Sequence, residues 1–175
     1  MKTVLANSCY EKQVRMTYFD FKILMDHYES SMGMPGLSVF YSMMIAENRQ
    51  TMLPLNDTID VELHERFDPL QAKRAEYEAM HDELKRKYVD RDAQGEPIVD
   101  DVSEPIVTEM KIEYEKAEKE LNEAYKDVVN MNFEDAVNDY LQTHYISFML
   151  IMPNDIQKLP DALHPAIIEI YYKQL

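Results

Sequence analysis

The chain has 175 residues, 46% apolar and 29% charged, which is enough to bury one core and too short for several domains. Its one cysteine, Cys9, excludes an intramolecular disulfide framework. A net charge of −15 opposes direct nucleic-acid binding, which needs clustered Lys and Arg against phosphate. The acidity is regional: Asp57 to Asp139 holds 25 acidic and 11 basic residues, whereas the flanks together hold 8 and 7.

The first part, residues 1–55, is apolar and rich in Met and aromatics. "MKTVLANSC" has too few apolar residues after Lys2 for a secretory core. Thr17 and Asp20 fit a capping box that opens a helix near Tyr18, with Phe21, Leu24, Met25 and Tyr28 on one face. The alternation in "FDFKI" also suits a strand. "GMPG" (33–36) breaks the chain, and "LSVFYSMMIAENRQTM" reads as a second helix, ended by Pro54.

The acidic centre, residues 56–129, carries two narrow helical seams. Leu63, Phe67, Leu70, Tyr77, Met80, Leu84 and Tyr88 are spaced 4, 3, 7, 3, 4 and 4. Met110, Tyr114, Ala117, Leu121, Ala124 and Val128 are spaced 4, 3, 4, 3 and 4. Glu83 with Lys87 and Glu115 with Lys119 stand in the favourable i, i+4 order. These patterns predict two helices of about 20 residues, each roughly 30 Å long, packed antiparallel as a hairpin that projects from a helical globular base.

The predicted tip, residues 89–108, contains "DRDAQGEPIVDD", which invites comparison with a calcium loop. Asp90, Asp92, Gln94, Glu96 and Asp101 would be the ligands. Gln94 stands where an acid or Asn is expected, Pro97 removes the N–H that would pair with a second loop, and Asp101 is a methylene shorter than the bidentate Glu. A helix-joining turn accounts for more: Gly95 supplies the unusual φ and Pro97 stiffens the exit. "EPIVDDV" (96–102) and "EPIVTEM" (104–110) nearly repeat eight residues apart, and each favours extended backbone. A small β-ribbon with "DDVSE" as its turn is the expected form.

The third part, residues 130–175, turns apolar again. "NFEDAVNDYLQTHY" reads as a helix with Asn132 as N-cap, "ISFMLIM" as a buried strand or the end of that helix, and "PAIIEIYYKQL" as a last helix with Pro165 at its start. The longest nearly uncharged apolar run, "YISFMLIMP", is far short of a membrane span.

Lys87, Tyr88, Arg91, Asp92, Gly95 and Pro97 form a K-Y-x-x-[KR]-D-x-x-G-x-P turn between an amphipathic helix and an acidic second helix. In this respect the chain resembles a family of small uncharacterised bacteriophage proteins over about residues 40–133. It departs from that pattern in extra residues before the second helix and in a longer stretch after Phe133. The resemblance implies a phage origin, in a virion or host cytoplasm, and lends no catalytic residues.

No nucleotide-binding glycine motif or nucleophile elbow occurs, and three glycines are few for cradling phosphate. "HERFD" (64–68) places Asp68 where a zinc helix would need its second His. His27, His81, His144 and His164 are dispersed. No catalytic, cofactor-binding or metal residue is therefore expected, and no cofactor. Two functions remain: a structural or assembly protein of a phage particle, bound to other virion subunits and open to homo-oligomerisation, or an acidic inhibitor of a host nucleic-acid-binding or defence enzyme. Carboxylates along one ridge would favour the inhibitor. Interspersed Lys73, Arg74, Lys85, Arg86, Lys111, Lys116 and Lys119 favour the particle protein, with neither nucleic acid nor membrane as direct partner.

Overall fold

The computed structural model describes residues 9–32, 37–99, 106–155 and 163–175. The protein is mainly α. In chain order the elements are β1 (Cys9–Thr17), α1 (Tyr18–Ser31), α2 (Val39–Tyr88), α3 (Lys111–Ala124), α4 (Lys126–Val129), α5 (Phe133–Thr143), β2 (Tyr145–Pro153) and α6 (Pro165–Lys173). Contacts group the chain into two compact units, Met1–Leu63 with Glu134–Leu175, and His64–Phe133.

The first unit is built on an antiparallel pair, β1 with β2, in the register Cys9 to Pro153 through Thr17 to Tyr145. Both strands alternate. Val14, Met16, Phe148, Leu150 and Met152 are buried, while Glu11, Gln13, Arg15, Ser147 and Met149 face solvent. Thr17 ends β1 and caps α1, its hydroxyl accepting from the Asp20 N–H at 3.0 Å. Phe21, Leu24, Met25 and Tyr28 of α1 are all buried, and Phe21 meets Phe148 edge-on at 5.3 Å. "FDFKI" is thus helix, and "YISFMLIMP" is strand. The expected break at 33–36 lies outside the described residues.

The second helix does not end at Pro54, as its sequence suggested; α2 runs on to Tyr88. A helical proline forfeits one N–H and crowds the carbonyl four residues back, at about 3 kcal/mol. Against that stands a core-facing stripe in helical register on both sides of Pro54, with Tyr41, Met44, Ile45, Asn48 and Met52 buried before it, Leu55 half-buried and Ile59 buried after it. Pro54 itself is exposed, so its ring displaces no core side chain.

Polar groups tie the layers together. Asn48, 1% exposed, donates from Nδ2 to the Ile151 carbonyl (3.0 Å) and to the Tyr28 hydroxyl (3.1 Å), and its Oδ1 accepts from the Ile151 N–H (2.7 Å). The Tyr28 and Tyr171 hydroxyls lie 2.5 Å apart, and burial raises both their pKa values. Lys22 of α1 bonds Asn56 (2.8 Å) and Asp60 (2.5 Å) on α2. The Glu62 carboxylate accepts from the Tyr18 hydroxyl at 2.9 Å; burial and this bond push Tyr18 up to about 12. Pro165 opens α6, as read from sequence, with the His164 ring as cap.

The second unit is an antiparallel helical hairpin of the α2 residues from His64 onward with α3 and α4. Lys73 meets Asp127, Tyr77 meets Asn122, His81 meets Glu118 and Tyr88 meets Tyr114. One series rises as the other falls, which fixes the antiparallel direction. The seam is narrow, as its spacing predicted: Phe67, Tyr77, Val89 and Val128 are its buried apolar residues.

Two details of that seam differ from expectation. Met80 is 44% exposed and His81 takes the inward position, because the partner helix presents Glu118 there rather than an apolar group. Glu115 lies 3.8 Å from Lys111 behind it instead of pairing forward with Lys119.

Candidate interaction site at the hairpin end

Helix α2 stops at Tyr88, and the chain turns back through an irregular segment before α3. Three residues eight positions apart close a ring of backbone hydrogen bonds. Ile98 N–H donates to Asp90 O (2.8 Å), Ile106 N–H to Ile98 O (2.9 Å), and Asp90 N–H to Ile106 O (2.8 Å). Ile98 and Ile106 are equivalent positions of the near repeat, so that repeat has a structural meaning. Arg91 also bridges Pro97 in antiparallel fashion. These contacts are ribbon-like; the expected turn at "DDVSE" lies outside the described residues.

Asp90 and Asp92, the first two candidate calcium ligands, have other partners. The Asp90 carboxylate accepts from the Thr108 N–H (2.8 Å), the Glu109 N–H (3.2 Å) and the Thr108 hydroxyl. Those bonds hold its pKa below the usual aspartate range. Asp92 Oδ1 accepts from Gln94 N–H and Glu96 N–H, both at 2.9 Å, forming an Asx turn. Gly95 has φ +84°, the left-handed conformation that the turn requires, and its N–H donates to Asp92 O at 3.0 Å. Arg91 donates to the Gly95 carbonyl at 2.8 Å. Asp90 and Asp92 thus face backbone donors in different directions. Asp101 lies outside the described residues, and no cluster of three metal-ligating side chains occurs among the described residues.

His64 and Asp68 are one turn apart and exposed, at 3.3 Å. His27 contacts Tyr41 at 2.8 Å, His81 contacts Glu118 at 3.0 Å, His144 stacks on Tyr140 at 3.7 Å, and His164 caps α6. They share no site. Cys9 is buried, and burial raises its thiol pKa, which suppresses the thiolate.

What the hairpin end does present is apolar surface. Ile98 (39% exposed), Val99 (48%), Met110 (46%) and Ile112 (80%) all lie where α2 stops and α3 starts. Sequence reading passed over them because it scored Ile98 and Val99 only for extended propensity and Met110 as the first seam residue. The flanks of the hairpin are charged, and four ion pairs with Lys or Arg stand among their carboxylates. Lys73 pairs with Asp127 (2.7 Å), Arg74 with Glu78 (2.8 Å), Lys111 with Glu115 (3.8 Å) and Lys126 with Glu123 (2.6 Å). Lys73 accordingly holds the Asp127 pKa low, and the His81 hydrogen bond does the same for Glu118. Burial and the bond to Glu118 push Tyr114 up to about 12.

No protein-family model, no curated protein and no solved structure matches this chain. Among the described residues, no helix is long and apolar enough to cross a membrane.

Proposed function

We propose that the chain is a non-enzymatic interaction protein that engages protein partners through the end of its helical hairpin. The sequence resemblance implies a phage origin, and within it the reading is a structural or assembly component of a virion. The observation that supports it is the exposed set Ile98, Val99, Met110 and Ile112 at the end of a hairpin whose flanks are mostly charged, with Met80 also exposed. Exposed apolar side chains gathered at one end, rimmed by polar ones, suit a protein contact. The inhibitor reading asks for an unpaired carboxylate ridge that imitates phosphates. Asp127, Glu78, Glu115 and Glu123 instead have Lys or Arg neighbours, which weakens such a field.

The test is affinity isolation of the tagged full chain from infected cells, beside an Ile98→Glu/Ile112→Glu variant. Recovery of head, connector or tail proteins with the unmodified chain, lost with the variant, supports the proposal. Recovery of a host nuclease or another defence enzyme, equally with both, supports the inhibitor instead.

A further inference from the structure

The two-stranded sheet has two outer edges, and they are treated differently. In an antiparallel pair, alternate residues direct both backbone groups away from the partner strand. Ile151 does so, because both its groups meet Asn48. Its register partner is Glu11, so Glu11, Gln13 and Arg15 direct their N–H and C=O groups away from β2. Two bonds agree with that parity. The Arg15 carbonyl accepts from Gln174 Nε2 (3.2 Å), and Tyr18, of opposite parity, donates inward to His144 (2.9 Å). The β2 edge is therefore covered by α2 at Ile151. On the β1 edge only Arg15 has a partner, through one exposed glutamine amide. The backbone groups of Glu11 and Gln13 have none among the described residues.

We propose that β1 pairs antiparallel with β1 of a second copy of this chain, centred on Gln13, giving a continuous four-stranded sheet. Charge selects both the occupant and the register. With the two-fold at Gln13, Glu11 of each copy stands opposite Arg15 of the other, and all three outward residues form about six backbone hydrogen bonds. A two-fold at Glu11 sets Glu against Glu, and one at Arg15 sets Arg against Arg, both of which repel. A two-fold at Lys12 sets Arg15 against Cys9 and one at Val14 sets Glu11 against Thr17, so neither opposes Glu11 to Arg15. The side chains of Glu11, Gln13 and Arg15 are exposed on one face, so opposed pairs meet without burial. In the single chain the Arg15 guanidinium lies over the Tyr145 ring of β2 at 4.6 Å, and it turns outward to meet Glu11 of the second copy. The Gln174 amide is displaced when Glu11 N–H of the second copy takes the Arg15 carbonyl. This contact belongs to the first unit and is independent of the hairpin end.

Sedimentation velocity of the full chain over a concentration series tests it. The unmodified chain should dimerise, and Glu11→Arg or Arg15→Glu should each weaken the dimer about tenfold or more, since two opposed pairs become repulsive. The double variant Glu11→Arg/Arg15→Glu should return the affinity to near that of the unmodified chain. Gln13→Pro, which removes an outward N–H that the monomer does not use, should abolish the dimer with an unchanged circular dichroism spectrum. A chain that stays monomeric at concentrations on the order of 1 mM overturns the proposal. So does a dimer indifferent to Gln13→Pro, or a double variant no tighter than the singles.

Discussion

Asn48 of α2 bonds both backbone groups of Ile151 on β2, its Nδ2 at 3.0 Å from the carbonyl oxygen and its Oδ1 at 2.7 Å from the amide nitrogen. The side-chain amide thereby stands in for the next strand of the sheet. It also donates to the Tyr28 hydroxyl at 3.1 Å, so one residue links α1, α2 and β2. Asn48→Ala leaves two half-buried backbone groups without their side-chain partner and opens a small void. The expected loss is about 2–4 kcal/mol, seen as a lower urea midpoint with unchanged slope. Asn48→Asp should cost at least as much, because a carboxylate would face the Ile151 carbonyl. If either variant unfolds at the midpoint of the unmodified chain, Asn48 does not close this edge.

Pro54 lies exposed within α2 and interrupts its hydrogen-bond ladder. Replacing it by Ala restores an N–H aimed at the Gln50 carbonyl and relieves the ring. The expected gain is about 1–3 kcal/mol, measured as a raised thermal midpoint. A destabilised Pro54→Ala would mean that the helix is bent there to fit its core contacts.

The error at Pro54 shows where sequence reading stopped. Periodicity located the core face of α1, the seam of the hairpin and the last helix, because apolar residues at helical spacing have few alternative placements. It could not weigh a proline's local cost against a buried stripe that extends on both sides of it, since that stripe's depth is a tertiary property. Strand β1 was missed because only Val14 and Met16 of "CYEKQVRMT" have large buried apolar side chains. Polar seam residues such as His81, Glu118 and Asn122 add nothing to an apolar periodicity. Their pairing needs the partner helix in register, which no single helix pattern contains. The hairpin turn was legible because glycine and proline act locally. The apolar group around Ile112 was not, since an exposed isoleucine and a buried one look alike in sequence.

Gly95 has φ +84°, with nothing within 4 Å of where a Cβ would stand. Substitution there meets backbone strain and no clash. Gly95→Val should cost about 1–2 kcal/mol, and Gly95→Asn distinctly less, because asparagine tolerates the left-handed region. Hydrogen exchange at the Ile98 and Ile106 amides should quicken in the valine variant, while that of β1 should not. Calcium titrated into the unmodified chain should give no heat with a stoichiometry near one, because Asp90 and Asp92 are committed to backbone donors. Such heat, lost in Asp92→Ala, would restore the metal-loop reading.

Acid should destabilise the protein in two windows. His27 is half-buried on α1 with its Nε2 at 2.8 Å from the Tyr41 hydroxyl, and burial, then the His164 charge, lowers its pKa. The groups around it are Tyr28, Tyr41, Ser31 and His164. The unfolded chain therefore takes up this proton first. Stability is intact above the unfolded histidine value of about 6.5, falls as pH drops from there towards the lower folded value, and is level below it. Glu118 is likewise held low, chiefly by the His81 hydrogen bond. Its contribution is complete above the unfolded glutamate value of about 4.3 and drains as pH falls through the folded one. Urea midpoints measured from pH 8 to pH 3 should show both declines. His27→Gln should reduce the upper decline alone and Glu118→Gln the lower alone, because the two groups sit in different compact units. An upper decline that survives His27→Gln would assign it to another histidine, and a lower decline that survives Glu118→Gln would leave Asp90 and Asp127, both also held low, as its source.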